Sequence, residues 1–440
     1  MYRTPGWLAL SLGRCRGALA DVVFLESDFP YSDLPTLLCD YVSCIRSLEF
    51  RHVLPKWDTS ITALLTLHRW PVLERLTSVN KDDSIAVGLQ LSPAQLPRLK
   101  SLVLSRFIVP GSVTLLRSLC SMSIHHAPLS MSFRNFMSAL YENTNLQELS
   151  FSDSWEMYGG TLDIPSPHTG SSLDMTRLRK FTLISGSQSI LFHVLHNLRI
   201  PNAIDVSLLG KSVGSGFVKD GSLFRSCLFP ASRPPTAIFP MLHTMSHVSL
   251  NITDDEGSLK AKSTTHRIEL RLTDLPVGKY FEASVRDVID IFTAAPISKI
   301  DLTWTQDEDD ERGALWPALL YAFPHLEDLR LCGFGGSDDS WFGLYDALAS
   351  PVNPSRELAC PQLKNLVIGV IYVVDVEDLV KALHPILNML RCRAERGSKL
   401  DELELELEME HDNEDITMRE VYLPRFKELV TAVRYERYIH

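Results

Sequence analysis

The sequence predicts an α/β solenoid in which a curved, mostly parallel sheet carries helices on its outer face. Three observations point there. A short apolar strand pattern recurs along nearly the whole chain, its central residue is almost always polar, and helically spaced apolar residues fill the intervals. The clear copies, of the form Leu-x-x-Leu-x-Leu, start at Leu99, Leu146, Leu178, Leu326, Leu363 and Leu400. Copies at Ile45 and Ile297 fit with conservative swaps, and weaker ones start at Leu73, Leu119, Ala203, Met245 and Thr265. The last two apolar positions of a copy are two apart, so they share one face of a strand while the residue between them faces away. Those central residues are Glu49, Thr77, Val103, Ser123, Ser150, Thr182, Ser207, Ser249, Glu269, Asp301, Arg330, Val367 and Glu404. All but Val103 and Val367 are polar, which a sheet covered on both faces would not tolerate. Leu102, Leu104, Leu329, Leu331, Leu366 and Ile368 are therefore expected in the core, with Val103, Arg330 and Val367 on the open face.

The elements follow in chain order. Trp7 to Leu12 has the look of a secretory h-region, but Arg14 and Arg16 stand where apolarity is needed before the mock cleavage site at Ala18-Leu19-Ala20. A helix of the folded protein is the expectation, with residues 1–24 forming a connector helix and first strand. Leu34, Leu37, Leu38, Tyr41 and Val42 have helical spacing behind an Asp33 cap, as do Phe133, Phe136, Met137 and Leu140 behind Ser132. Later helices are marked by Ile289 and Phe292, Leu319 and Leu320, Leu344 and Leu348, and Leu379, Leu383 and Leu387. Helix alternating with strand implies right-handed crossovers between parallel strands, each unit burying its apolar face on its neighbours. Residues 25–440 are thus expected to form one irregular array. Gly, Ser and Pro concentrate in two stretches, Ser152–Asp174 and Gly210–Pro240, which read as long surface loops, the second dividing the chain near 210–240. Residues 398–440 read as a cap. Leu403, Leu405, Leu407 and Met409 alternate with glutamates, and a closing helix carries Phe426, Leu429, Val430 and Val433.

Composition narrows the function. Hydrophobic residues make up 45% and charged residues 22% of the 440, as in a folded soluble protein. The net charge of -11 argues against phosphate-backbone binding, so no nucleic-acid partner is expected. From Asp301 onward there are 28 Asp and Glu against 14 Lys and Arg. The longest apolar run, Leu366 to Val374, is far too short to span a bilayer. Eight scattered cysteines suit free thiols in a reducing, intracellular setting, cytoplasm or nucleus. The copies lie about 30 residues apart on average, slightly long for the ribonuclease-inhibitor-like class of leucine-rich repeat.

The opening run Trp7-Leu8-Ala9-Leu10-Ser11-Leu12-Gly13-Arg14-Cys15-Arg16-Gly17-Ala18-Leu19-Ala20-Asp21-Val22, together with the repeats, resembles the fungal F-box/leucine-rich-repeat-like proteins. It departs from them at Ala18-Leu19-Ala20, where the family has Pro-Leu directly before Asp. In that family an N-terminal F-box docks the adaptor of a ubiquitin ligase, and the repeats hold the substrate. The F-box would precede residue 1, so the resemblance covers the substrate-holding part alone. It implies a leucine-rich-repeat-like solenoid that binds a protein, with the ligase adaptor as a partner only through an upstream F-box. A free scaffold without a ubiquitin link is the alternative, and an enzyme with its site in the Gly/Ser/Pro-rich loops ranks well behind.

No catalytic, cofactor or metal site is expected. Gly210-Lys211-Ser212 lacks the earlier glycine of a phosphate loop, that position being Asp205. His243 and His247 have zinc-pair spacing, but His247 falls on a strand, where side chains four apart do not converge as on a helix. His193 and His196 read as structural. The acidic run Asp307 to Glu311 lacks the spaced ligands of a calcium loop. The candidate binding surface is therefore the late open face with its end loop: Asp301, Trp304, Asp307, Asp309, Arg330 and Glu404. There an aromatic beside carboxylates would hold a basic segment of a partner.

Overall fold

The computed structural model describes residues 5–15, 17–25, 34–53, 58–80, 89, 91–107, 112–126, 131, 133–152, 173–211, 222–275, 280–305, 315–333, 339–350, 358–409 and 411–438. The chain is α/β, with a large, mostly parallel sheet and helices. It divides into two compact units, Met1–Ser207 and Leu208–His440.

The first unit opens with the helix Pro5–Arg14, in the segment that mimics a leader. Its strands are β1 (Ala20–Phe24), β2 (Ile45–Val53), β3 (Arg75–Asn80), β4 (Ser101–Ser105), β5 (Ser121–His125), β6 (Glu148–Ser152), β7 (Leu173–Asp174), β8 (Lys180–Ser185), β9 (Leu198–Arg199) and β10 (Asp205–Lys211), the last running across the division. Their order is β1-β2-β3-β4-β5-β6-β8-β10, with β7 and β9 forming a separate pair. The second unit holds β11 (His247–Ile252), β12 (Glu256–Lys262), β13 (Arg267–Thr273), β14 (Lys299–Trp304), β15 (Asp328–Gly333), β16 (Asn365–Val373), β17 (Glu402–Met409) and β18 (Ala432–Tyr438). Here the order is β13-β12-β11-β14-β15-β16-β17-β18, and only β12 runs antiparallel to its neighbours.

The alternation places the core as expected. Leu102, Leu104, Leu329, Leu331, Leu366 and Ile368 are at most 1% exposed, each worth about 1.5–3 kcal/mol of burial. Val103 and Val367 are half-buried and Arg330 is exposed, all on the opposite face. Helices cover the apolar face and pack on their sequence neighbours. Phe281–Phe292 contacts Leu315–Ala322, which contacts Asp339–Ala349, which contacts Val376–Glu395.

A repeated hydrogen bond shows what holds the copies in register. The residue after a copy's first apolar position lends its carbonyl to two N–H groups of the next copy. In the first unit Glu74 accepts from Lys100 and Ser101, Lys100 from Cys120 and Ser121, Cys120 from Gln147 and Glu148, and Gln147 from Arg179 and Lys180. In the second, Ser246 accepts from Ser298 and Lys299, Ser298 from Glu327 and Asp328, Glu327 from Lys364 and Asn365, and Lys364 from Asp401 and Glu402. Two side chains add a second fastener. Asn143 and Cys360 each stand three residues before their copy's first leucine. Asn143 donates to the Leu116 and Leu119 carbonyls at 2.8 and 2.9 Å, and the Cys360 thiol donates to Leu320 and Phe323 at 3.3 and 3.4 Å. Burial pushes the Cys360 thiol up to about 12, so it stays protonated and donating.

Several expectations need correction. The stretch after Gly210 is not surface loop throughout: Phe224–Leu228 and Pro235–Ile238 are helical, and Phe224, Leu228, Phe229 and Phe239 are at most 2% exposed. The chain also gains β12 from Glu256–Lys262, where Gly, Ser and Lys hid the strand. At the far end the helix is Leu423–Leu429, and Val433 belongs to β18 instead. The Asp33 and Ser132 caps and most of the Ser152–Asp174 stretch lie outside the described residues.

Candidate functional site

The open face of the second unit is built by register. β14, β15, β16, β17 and β18 pair in parallel, so one outward position of each strand falls beside the next: Asp301, Arg330, Val367, Glu404, Arg434. The outward position two residues earlier gives a second row, Lys299, Asp328, Asn365, Glu402, Ala432. From β14 to β17 the two rows line a groove of 240 Å³ that includes Asp301, Arg330 and Glu404. At about 4.8 Å per strand, Asp301 and Glu404 stand roughly 14 Å apart across it. Four carboxylates and two cations line the groove, with Val367 as its apolar floor.

Most of these groups are already held. Asp301 Oδ2 lies 2.7 Å from His247 Nε2, while its Oδ1 is buried without a hydrogen-bond partner, 3.8 Å from Lys299 Nζ. Arg330 donates from Nε to Cys332 Sγ at 3.5 Å and from Nη2 to Glu406 Oε1 at 3.2 Å. That hydrogen bond to Cys332 and the nearby Glu406 and Glu404 charges raise the Arg330 pKa, keeping it charged. The reach from β15 to β17 passes over Gly369. A Cβ there would stand 2.7 Å from Cys332 Sγ and 3.0 Å from Glu406 Oε2, so glycine makes the arrangement possible. Asp328 accepts from Asn365, and Glu402 is 2.6 Å from Arg434. Glu404 makes no hydrogen bond or ion pair with any described residue, although it faces Arg330. It is the one lining carboxylate that a partner could take without displacing a described ion pair or hydrogen bond.

The sequence-derived set divides three ways. Asp301, Arg330 and Glu404 come together on one groove. Trp304 does not join them: it is 1% exposed, its ring 4.4 Å from that of Phe281, which in turn lies 6.2 Å from Trp316. Its position follows from strand parity, since Ile300, Leu302 and Trp304 share the inward face. Gly333 lies beside it on β15, and a Cβ at Gly333 would overlap the indole. Trp304 is a core residue and is withdrawn as a surface anchor. Asp307 and Asp309 lie outside the described residues. The groove residues that sequence reasoning missed, Lys299, Asp328, Asn365 and Glu402, each sit two positions before a central strand residue, Asp301, Arg330, Val367 and Glu404 in turn. The same parity would have found them.

No protein-family model matches the chain, and no curated protein matches it. Among the described residues no group of three or more His, Cys, Asp or Glu could hold a metal ion. His243 lies in the turn of helix Pro240–Thr244 and His247 on β11 pairs with Asp301. Lys211 belongs to β10 and is 3.3 Å from Asp274, while Ser212 lies outside the described residues. No helix among the described residues is long and apolar enough to cross a membrane.

One buried acid resembles a catalytic group and is a clamp. Asp287, on the helix Phe281–Phe292, is fully buried and accepts from the Ser222 hydroxyl at 2.5 Å and from the Leu223 and Phe224 N–H groups at 2.7 and 2.6 Å. Burial is the larger influence and pushes its carboxyl up to about 6, with the three donors pulling back. The folded chain thus holds the proton more tightly than the unfolded chain, whose aspartate titrates near 3.8. Asp287 contributes stability that is complete below about pH 4 and is lost as pH rises through about 6, a swing of about 3 kcal/mol. Urea unfolding of the native chain and Asp287→Asn between those limits should show the native advantage shrinking with rising pH. An advantage that grows instead would refute the assignment.

Proposed function

We propose that the chain is a non-catalytic protein-binding module of leucine-rich-repeat-like units, and that its second unit holds an extended segment of a partner in the groove between Asp301 and Glu404. The observation that carries this is the meeting of Asp301, Arg330 and Glu404 on an open sheet face with Glu404 unengaged. Side chains on such a face are not needed by the core, and the strands space them rigidly. Excess carboxylate favours a partner segment bearing lysine or arginine. The shared carbonyl and the Asn143 and Cys360 fasteners support the repeat reading, because each recurs at the same point of different copies. The resemblance of Trp7 to Val22 to F-box/leucine-rich-repeat-like proteins extends the proposal to substrate holding for a ubiquitin ligase. The eight cysteines are all free, which supports an intracellular setting.

The test starts from partners isolated by affinity capture on the full chain. Glu404→Lys should weaken the purified partner's binding about tenfold at low salt, with a smaller effect at moderate salt as screening grows. Its unfolding free energy should stay within about 1 kcal/mol of the native value, because Glu404 makes no ion pair or hydrogen bond with a described residue and a lysine there only adds like charge beside Arg330 and Arg434 on an open face. Equal affinity of native and variant chains at both salt levels would remove the groove as the binding surface.

A further inference from the structure

The last strand of the second unit, β18, carries a self-complementary edge. Among the described residues it lies last in the strand order and pairs with β17 alone. Ala432 N–H donates to the Asp401 carbonyl at 2.8 Å, so Ala432, Arg434, Glu436 and Tyr438 turn their peptide groups toward β17. Val433, Tyr435 and Arg437 turn theirs outward, and no described residue bonds them. Seven residues of unpaired edge are a template for another strand.

We propose that this edge binds the β18 edge of a second copy, antiparallel and about a two-fold axis through Tyr435. The register decides the matter. Two-fold pairing centred on Tyr435 sets it against itself, Val433 against Arg437, Arg434 against Glu436 and Ala432 against Tyr438, so all seven residues find partners. The outward peptide groups of Val433, Tyr435 and Arg437 then meet as hydrogen-bonded pairs. Arg434 and Glu436 fall in the intervening pairs, where side chains of adjacent antiparallel strands come closest. Symmetry makes that charge pair twice. Moving the axis to Arg434 sets arginine on arginine, and moving it to Glu436 sets glutamate on glutamate. The register with the most pairs is also the one that matches charge.

Charges on an edge ordinarily repel a second strand, and that is the competing reading. It requires like charges to meet, whereas here the alternation of Arg434 and Glu436 brings opposite ones together. The present partners leave room for this. Arg434, whose side chain is 69% exposed, reaches Glu402 at 2.6 Å, and Glu436 accepts from the Tyr438 hydroxyl at 3.1 Å. The inference concerns self-association and is independent of the groove.

Sedimentation equilibrium of the full chain over a concentration series tests it. The native chain should show a monomer–dimer equilibrium. Glu436→Arg should weaken the dimer roughly ten- to a hundredfold, since two attractive pairs become repulsive. Arg434→Glu should do likewise, and the double exchange should restore the native affinity. Circular dichroism melting of each variant checks that the fold is kept, which is expected because both side chains are at the surface. A chain that stays monomeric throughout, a dimer indifferent to Glu436→Arg, or a double exchange that fails to restore it overturns the proposal.

Discussion

Replacing Arg393 by alanine should cost the second unit about 3–5 kcal/mol. Arg393 is fully buried and forms no ion pair with a carboxylate among the described residues. Its guanidinium instead donates to three carbonyls, Leu348 at 3.3 Å, Ala359 at 3.1 Å and Cys360 at 2.9 Å. Leu348 lies in the last turn of the helix Asp339–Ala349, where carbonyls lack helical partners and the dipole favours a cation. One side chain therefore ties the helix Val376–Glu395 to the end of the preceding helix and to the entry of β16. Burial lowers its pKa to about 10, far enough above neutrality for the cation to persist. Alanine would leave the three acceptors buried and a cavity besides. Lysine would keep the charge but could not match the planar fork, and should recover only part of the loss. Guanidinium unfolding measures the cost, and hydrogen exchange at the β16 amides locates it. A loss below about 1 kcal/mol would show that water replaces the guanidinium at little expense.

The second large effect separates core from surface. Trp304→Ala should destabilise the chain by about 3–5 kcal/mol, the range for emptying a buried aromatic site. Affinity for a captured partner should be unchanged below the variant's melting temperature. The indole is enclosed by Phe281 and by the space that Gly333 leaves, so no partner touches it. Thermal melts and binding isotherms on the same sample give both numbers. Weakened binding by a fully folded variant would return Trp304 to the surface and contradict its burial.

These cases show where the sequence was legible. Alternation along a strand is a two-state signal, and it placed every central residue of the thirteen copies on the open side. The same signal, carried two residues further, puts Trp304 inward; reading it as an exposed strand-end aromatic ignored the parity. β18 was hidden because its inward row is Val433, Tyr435 and Arg437, too polar for a core pattern and stabilised instead by ties such as Tyr435 to Asp415 at 2.8 Å. β12 was hidden by Gly257, Ser258 and Lys260. Arg393 continues the stripe of Leu383, Ile386, Leu387 and Leu390 at helical spacing, a cue to burial that its charge masked. The meeting of Arg330 with Glu406 across Gly369 had no sequence signal, because it depends on which strands are neighbours and not on spacing along the chain.

The carbonyl shared between successive copies also bears on how such a chain tolerates change. The starts of successive copies are 20 residues apart between Leu99 and Leu119 and 37 apart between Leu363 and Leu400, yet both pairs make the same two-donor contact. Registration is re-established at each of these entry points, so length errors upstream are not inherited. Insertions and deletions between strands are then nearly neutral for the sheet, since lengthening a loop costs free energy only logarithmically. Change at the entry residue itself propagates to the next copy. A lineage carrying this architecture can drift freely in spacing and connecting sequence while its strands stay aligned, and the periodicity fades from the sequence long before it fades from the fold.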